Sequence, residues 1–404
     1  MRRVVITGIG VVTPLGNNAE STFANLTRGI SGIGIITRFD TTGFPCRIAG
    51  EVKNLLIEDF IPPKDALRLD PFIHYAIASA IMAVEDAGLR SSELNPAGVI
   101  IGSSRGGIMS IERSLEEYLL RGRALSAYLM SASTISMASS YIAMRLGIKG
   151  MTIGISTACA SGTNAIGEAF RLIGQGEIDI AIAGGAEAPI CRVAVGGYAG
   201  AGALSRRCDE PQKASRPFDK DRDGFVISEG AGVIILEELT HALERGARIY
   251  AEIIGYGRSS DAFHQTRPDS DGEAMAIKRA IDDAGVLPHE IGYINAHATS
   301  TPYGDKTEAE AIKKVFGRCV DDIPVSAFKS MLGHMLGASG AVETAMTAMA
   351  IYRGIIPPTI NLDNPDPECR VNHVTSTMDR EIKVAIKNSF GFGGVNAVLV
   401  LRHS

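Results

Sequence analysis

Along this chain, short β-branched and apolar runs alternate with longer segments whose apolar positions recur every three or four residues. The short runs predict strands at 3–7, 98–102, 178–185, 233–236, 250–256, 291–296 and 395–401. The longer periodicity predicts helices over 72–88, 273–284, 305–316 and 340–353. Strands of nearly unbroken apolar character between helices predict an α/β architecture of layers with buried sheets.

A weak internal repeat sharpens this picture. Cys159-Ala160-Ser161-Gly162 is matched by Gly337-Ala338-Ser339-Gly340. An Ala-rich helical pattern follows each copy, and each closes on a glycine at the same offset, Gly176 or Gly354. Both parts also end in a Gly-rich turn feeding a strand, at 229–233 and at 392–395. The reading is a duplicated unit, with one copy in 1–250 and the other in 251–404.

Composition narrows the class. The 404 residues are 45% hydrophobic and 21% charged, with 45 glycines and no tryptophan, which argues against a plain helical bundle. A net charge of -5 gives no broad basic surface for nucleic acid. No apolar run approaches the ~20 residues of a membrane span, and the first apolar run is broken by Thr7, Gly8 and Gly10, so it is expected to be a strand and not a leader. The six cysteines form no C-x-x-C pair and none has a histidine at zinc-finger spacing, so neither a metal site nor a disulfide framework is expected, and a reducing cytoplasmic compartment fits.

Two local motifs invite a ligand and fail on spacing. Gly8-Ile9-Gly10 follows a strand, but Thr13 stands where a dinucleotide loop needs its third glycine, so a turn is expected. Asp219, Asp221, Asp223 and Gly224 match the first half of a calcium loop, but position 230 is Gly and Glu229 falls one residue short. A structural loop of Asp and Arg pairs is the expectation.

The candidate chemistry lies at three junctions. Cys159 sits among small residues before an apolar-periodic segment, where a helix N-terminus would favour thiolate; a small buried cysteine is the plainer alternative. His297 follows a strand in a polar turn broken by Pro302, and His334 precedes the second-copy helix. One Cys with one His and an Asn would suit a papain-like hydrolase. One Cys with two His suits acyl transfer followed by carbon–carbon bond formation. The turn Gly391-Phe392-Gly393-Gly394 exposes backbone N–H groups that can receive an oxyanion.

Thr157-Ala158-Cys159, Asn295-Ala296-His297 with Thr299 and Thr301, Lys329 with Gly333-His334, and Gly391-Phe392-Gly393-Gly394 together resemble a β-ketoacyl-[acyl-carrier-protein] synthase of the Cys-His-His, type II elongating branch. The resemblance covers nearly the whole chain. It implies a thiolase fold, five layers α-β-α-β-α from two duplicated halves, and a homodimer. It implies that Cys159 takes the acyl group, that His297 and His334 hold the malonyl thioester carbonyl, and that the N–H groups of Cys159 and Phe392 receive the oxyanion. Phe392 would also gate the second substrate, and Lys329 and Glu343 would support the site electrostatically or simply pair. Thr299 and Thr301 would bind the phosphopantetheine arm, which arrives on the acyl carrier protein, so no cofactor of the protein's own is implied. The acidic carrier would dock on Lys64 and Arg68, with Arg206 and Arg207 as further candidates. Ala298, Ser228 and Val395 stand where the family more often has Gly, Gly and Thr. A polyketide ketosynthase shares these motifs, and a non-catalytic chain-length-factor-like subunit is the rival of a different class.

Overall fold

The computed structural model describes residues 1–404. Its first five sheet strands are β1 (Val4–Val12), β2 (Gly98–Gly102), β3 (Thr152–Ile155), β4 (Ile180–Glu187) and β5 (Gly230–Glu238), which lie in the order β3-β2-β4-β5-β1. The next five are β6 (Ala251–Ser260), β7 (Tyr293–Asn295), β8 (Pro324–Ser326), β9 (Val384–Gly391) and β10 (Val395–Arg402), in the order β8-β7-β9-β10-β6. The two orders are the same permutation. The pairing directions also repeat: β2 is parallel to β3 and β4, and β7 is parallel to β8 and β9, while the remaining pairs are antiparallel. β1 and β6 join the groups edge to edge through Val4–Ile6 and Ala251–Ile253.

Four helices complete the layers. α1 (Pro71–Ala87) packs on β1 and β5, and α3 (Ser270–Ala284) packs on β6 and β10, each on an outer face. α2 (Ser161–Gln175) and α4 (Ser339–Arg353) lie side by side between the two strand groups and touch both. The result is α-β-α-β-α. Every residue of α4 from Ser339 to Ile351 is buried, so this helix has no solvent face. The middle layer is also where the largest apolar cluster sits, with Ile166, Ile173, Val342, Met346 and Met349 packed among Val4, Ile6, Leu236 and Leu399. Each such side chain contributes roughly 1.5–3 kcal/mol on burial.

The repeat holds in the backbone. α2 and α4 begin at Ser161 and Ser339, and both end on left-handed glycines, Gly176 (φ +84) and Gly354 (φ +65). The helices predicted by periodicity fall within three residues of those observed, Pro71–Ala87, Ser270–Ala284, Gly304–Phe316 and Ser339–Arg353.

Three expectations change. Gly8 and Gly10 make no turn: they lie inside β1, where a Cβ would strike the Ala83 and Ser79 carbonyl oxygens of α1. Gly255 and Gly257 do the same in β6 against Ala280 and Ala276 of α3, so the G-x-G is a packing signature that both halves carry. The sequence reading passes over β9, because its centre is Lys387-Asn388-Ser389; all three are fully buried. It also passes over Ile108–Arg121, whose only buried residue is Ser110, and which carries exposed Leu115, Tyr118, Leu119 and Leu120.

Gly232 shows how closely the middle layer fits. A Cβ there would lie 2.6 Å from Val342 N, in the backbone of α4. Overpacking of this kind typically costs 1–3 kcal/mol, and a backbone atom cannot rotate away. Gly232→Ala is therefore expected to cost about 3 kcal/mol and to lower the thermal unfolding midpoint; an unchanged midpoint in calorimetry would mean that the two halves are not held this tightly.

Candidate active site

β3 ends at Ile155, and the chain turns into α2 through Ser156–Ala160. Ala158 takes a positive φ of +48, and the turn is tied by Thr157 N–H to Ser161 Oγ (2.9 Å) and by Ser161 Oγ–H to Ala158 O (2.6 Å). Asn164 donates to Thr157 Oγ1 (2.7 Å) and accepts from Tyr256 OH (2.6 Å). The turn is thus fixed from both halves. It leaves Cys159 half-buried just ahead of the α2 N-terminus.

His334 comes to this sulfur from the second half. Its Nε2 is 3.1 Å from Cys159 Sγ. Its N–H donates to Val226 O (2.7 Å), and its Nδ1 is 3.0 Å from Ser339 Oγ, the first residue of α4. A hydroxyl donating to Nδ1 leaves the proton on Nε2, facing the sulfur. His297 stands beyond the end of β7, where Glu308 accepts from its backbone N–H (2.8 Å) and from that of Ala298 (2.7 Å). The two imidazole centroids are 5.4 Å apart, edge to face, and the His297 Nδ1 is buried with no partner. The Phe392 N–H points at Cys159 Sγ. Gly391 lies so close that a Cβ would be 3.2 Å from Cys159 N.

A cavity of about 290 Å³ joins these groups. Cys159, His297, His334, Phe392, Thr299 and Thr301 all line it, and the two threonine hydroxyls are 3.1 Å apart. Tyr198, Phe225 and Leu336 make an apolar wall, with the Phe225 ring edge-on to His334 at 5.1 Å. Lys329 and Glu343 do not line it. They form a fully buried ion pair of 2.6 Å behind the histidines. Lys64, Arg68, Arg206 and Arg207 do not line it either. Arg206 is exposed and its N–H bonds Asp223, a residue of the cavity rim; Arg207 donates to Asp221 O; Arg68 lies over the Tyr128 ring at 4.6 Å.

Electrostatics set burial against the helix N-terminus at the sulfur. Burial pushes the Cys159 thiol up to about 11, against the pull of Lys329 and of the Phe392 N–H. Burial also holds both imidazoles well below 6.5, with Lys329 and Lys387 acting on each in the same direction and His334 adding to the effect on His297. The resting site is therefore a neutral thiol beside two neutral imidazoles. The helix end lowers the cost of forming thiolate without overcoming the loss of water.

Residues that the sequence reading passes over hold these groups in place. Glu308 carries the His297 loop and accepts from Asn388 (3.0 Å). Asp305 accepts from Ser300 N–H (3.0 Å) and Phe218 N–H (2.8 Å). Glu187, at the end of β4, accepts from Ser104 N–H, Arg105 N–H and Gly337 N–H at 2.8–3.0 Å. Lys387 pairs with the free side of Glu343. The acidic loop is structural: Asp219 accepts from Arg216 (2.9 Å), Asp221 N–H and Asn364 N–H. Among the unusual positions, Ala298 sits buried at φ +23, and Ser228 bonds Gly50 O while its N–H holds His334 O (3.0 Å). Val395 pairs with Ser260 at the start of β10, away from the cavity.

Comparison with known proteins agrees with this geometry. Residues 1–242 match the family description "Beta-ketoacyl synthase, N-terminal domain", and residues 250–363 match "Beta-ketoacyl synthase, C-terminal domain". The chain is 46% identical over 410 residues to the 3-oxoacyl-[acyl-carrier-protein] synthase 2 of Vibrio cholerae serotype O1, covering 99% of each chain. It is 47% identical over 407 residues to the protein of the same name from Coxiella burnetii, covering 99% of this chain and 98% of that one. Among solved structures, the ishigamide ketosynthase/chain length factor superposes with a TM-score of 0.94 at 40% identity, covering 100% of this chain and 99% of that one. A ketosynthase bound to its type II polyketide acyl-carrier protein, AntDE:AntF, superposes at 0.92 with 34% identity and full coverage of both.

The raised thiol makes a measurable claim. Alkylation of Cys159 by iodoacetamide is expected to climb continuously from pH 7 to pH 9.5, as for a group with a midpoint near 11. A plateau reached by pH 7 would mean a standing thiolate and would overturn the neutral resting site.

Proposed function

This chain belongs to the beta-ketoacyl synthase family, with its five-layered thiolase fold of two like halves, and we propose that it condenses an acyl group with malonyl-[acyl-carrier protein] to extend fatty acyl chains by two carbons. The observation that carries this reading is the meeting of Cys159, His297 and His334 in one cavity, with the Phe392 N–H on the sulfur. The relatives over 99% of the chain are 3-oxoacyl-[acyl-carrier-protein] synthases 2.

In the first half-reaction the Cys159 sulfur attacks the acyl thioester carbon. The tetrahedral oxygen is received by the N–H groups of Phe392 and Cys159. The carbon–sulfur bond to the carrier breaks, and the thiol's proton leaves with the carrier sulfur. In the second, the malonyl thioester oxygen accepts hydrogen bonds from His297 and from His334 Nε2–H. The bond to the carboxylate breaks, CO2 leaves, and the enolate so formed attacks the acyl carbon on Cys159. The new carbon–carbon bond forms as the Cys159 sulfur departs and takes up a proton. Neutral imidazoles suit this step, because they donate to an oxygen that gains charge without having first to lose a proton of their own. Thr299 and Thr301, which line the cavity, would bind the phosphopantetheine arm that the carrier brings. The reaction so written uses no cofactor of the protein's own. Exposed Lys64, Arg68 and Arg206 offer charge to an acidic carrier, with Arg207, only partly exposed, beside them.

A second reading, polyketide ketosynthase, is favoured by the 40% and 34% identical solved neighbours. A chain-length-factor-like role would make no use of a thiol between two imidazoles. A papain-like hydrolase would leave the second histidine without a part.

We also propose a homodimer. β3 is the outermost strand of its sheet and its free edge carries half-buried Ile153 and Ile155. In the segment that precedes it, Leu119, Leu120, Leu125, Met130 and Met144 are exposed apolar side chains that a second copy would cover. All six cysteines are unpaired, in keeping with a cytoplasmic setting, and no helix is long and apolar enough to cross a membrane.

Two measurements test these readings. Given malonyl-carrier protein and a panel of acyl-carrier proteins, the wild type is expected to elongate simple saturated acyl groups, and Cys159→Ala to lose the rate by roughly 10³-fold or more. Elongation only of β-oxygenated or polyene acyl groups would favour the polyketide reading instead. In sedimentation equilibrium the protein is expected at twice the 42.7 kDa chain mass, and a monomer at micromolar concentration would remove the dimer.

A further inference from the structure

Two lysines are fully buried in this protein, and both reach the same carboxylate. Glu343 Oε1 takes Lys329 at 2.6 Å, and Glu343 Oε2 takes Lys387 at 2.9 Å. One lysine would neutralise Glu343. A second, taken out of water with no carboxylate of its own, costs several kcal/mol unless its surroundings repay it. Its amine also donates to Asn388 O and to Ser389 Oγ (2.9 Å).

These contacts run directly into the site. Ser389 Oγ shares a 2.7 Å hydrogen bond with Thr163 Oγ1, four residues after Cys159 on α2. Asn388 Nδ2 donates to Glu308, which holds the His297 loop. Three residues after Asn388, β9 ends at Gly391 and hands over to the Phe392 turn. Lys387 is therefore linked through Ser389 to the nucleophile helix, through Asn388 and Glu308 to the His297 loop, and along β9 to the Phe392 turn. The charged and titratable groups around it are Lys329, Glu343 and Glu308, with Tyr293 beside Glu343 and the two imidazoles beyond.

We propose that Lys387 is a positioning residue of the condensing site: sharing Glu343 with Lys329, it sets a second buried cation behind His297 and His334, where it disfavours imidazolium, and it ties the Phe392 turn to the nucleophile helix. The role rests on the condensing reading given above for its second half-reaction. The direction of the field follows from Coulomb's law: a nearby cation disfavours imidazolium, and a unit charge some 10 Å away shifts a titrating group by roughly one pH unit at an effective dielectric near 20. Lys387 itself is lowered by burial to about 8, so its charge is present through the neutral range and fades above it.

The test is Lys387→Met, which fits the space and leaves Glu343 paired with Lys329. The acid limb of malonyl-[acyl-carrier protein] decarboxylation is expected to move up by about one pH unit, because the imidazoles protonate more readily. KM should stay unchanged, and the wild-type and variant profiles should converge above about pH 8, where the amine has lost its proton. Lys387→Arg, which restores the charge, should return the acid limb to its wild-type place. A purely structural lysine would lower the rate at every pH and leave the limb unmoved. Folded Lys387→Met with a wild-type limb overturns the proposal. If that variant does not fold, Lys387→Gln, which can still bond Asn388 and Ser389, carries the same comparison. Should the wild type not decarboxylate the malonyl group at all, the condensing reading fails by itself. The titration of the His297 and His334 rings, followed by NMR, then decides Lys387: midpoints raised by about one pH unit in the variant support the added cation, and unchanged midpoints overturn it.

Discussion

Two helix N-termini meet at the centre of this molecule, and the rest of the structure follows from making that contact possible. α2 and α4 approach so closely that a Cβ on Gly162 would lie 2.8 Å from Gly337 O. Each helix presents the positive end of its peptide dipoles and unpaired N–H groups to the same small volume, which is unfavourable for two neighbouring helices. Glu187 answers this. Its carboxylate is buried at the end of β4 and accepts the Gly337 N–H at the α4 end, together with N–H groups of the Ser104–Arg105 turn. The small residues of α2 and α4, the glycines of β5 and the G-x-G pairs of β1 and β6 all serve the same close fit. They let sheets and helices approach until backbone touches backbone.

Much of this was legible in the sequence, for definite reasons. A periodicity of 3.6 over fifteen residues survives single irregularities, so the long helices fall close to where the pattern places them. Small residues at strand-to-helix junctions drew attention to Cys159, His297, His334 and the Phe392 turn, all of which line one cavity. The resemblance supplied the fold. What stayed hidden is polar and lies inside regular structure. β9 shows no strand pattern because Lys387, Asn388 and Ser389 interrupt it, although their burial and hydrogen bonds are what make them part of the site. Glu308 and Glu187 look like ordinary residues of a helix and a strand end. Their partners are backbone N–H groups on other elements, and a backbone donor leaves no mark in a sequence. The G-x-G of β1 was mistaken for a turn because its meaning lies in α1, about seventy residues away.

The site balances opposing effects of burial. Loss of water raises the thiol and lowers the imidazoles, so an unaided pocket would hold a protonated sulfur and two neutral rings. The added charges tune each group separately. Lys329 favours thiolate and opposes imidazolium, and so acts usefully on both. The Phe392 N–H lies on the sulfur alone. Ser339 Oγ holds Nδ1 of His334, so that Nε2 faces the sulfur. Lys329 and Lys387 thus act from behind the cavity wall, which leaves the cavity open to a thioester.

The duplication has a consequence for the life of the chain in the cell. In one copy the junction before the middle helix bears sulfur; in the other the same place is Gly337, and His334 stands just ahead of it. Neither half can form the reactive centre alone, since the sulfur comes from the first and His297, His334 and the Phe392 turn come from the second. Reactivity appears only when both halves are complete and docked. During synthesis the first half emerges with its cysteine but without the imidazoles and the Phe392 turn, so condensation waits for the second half.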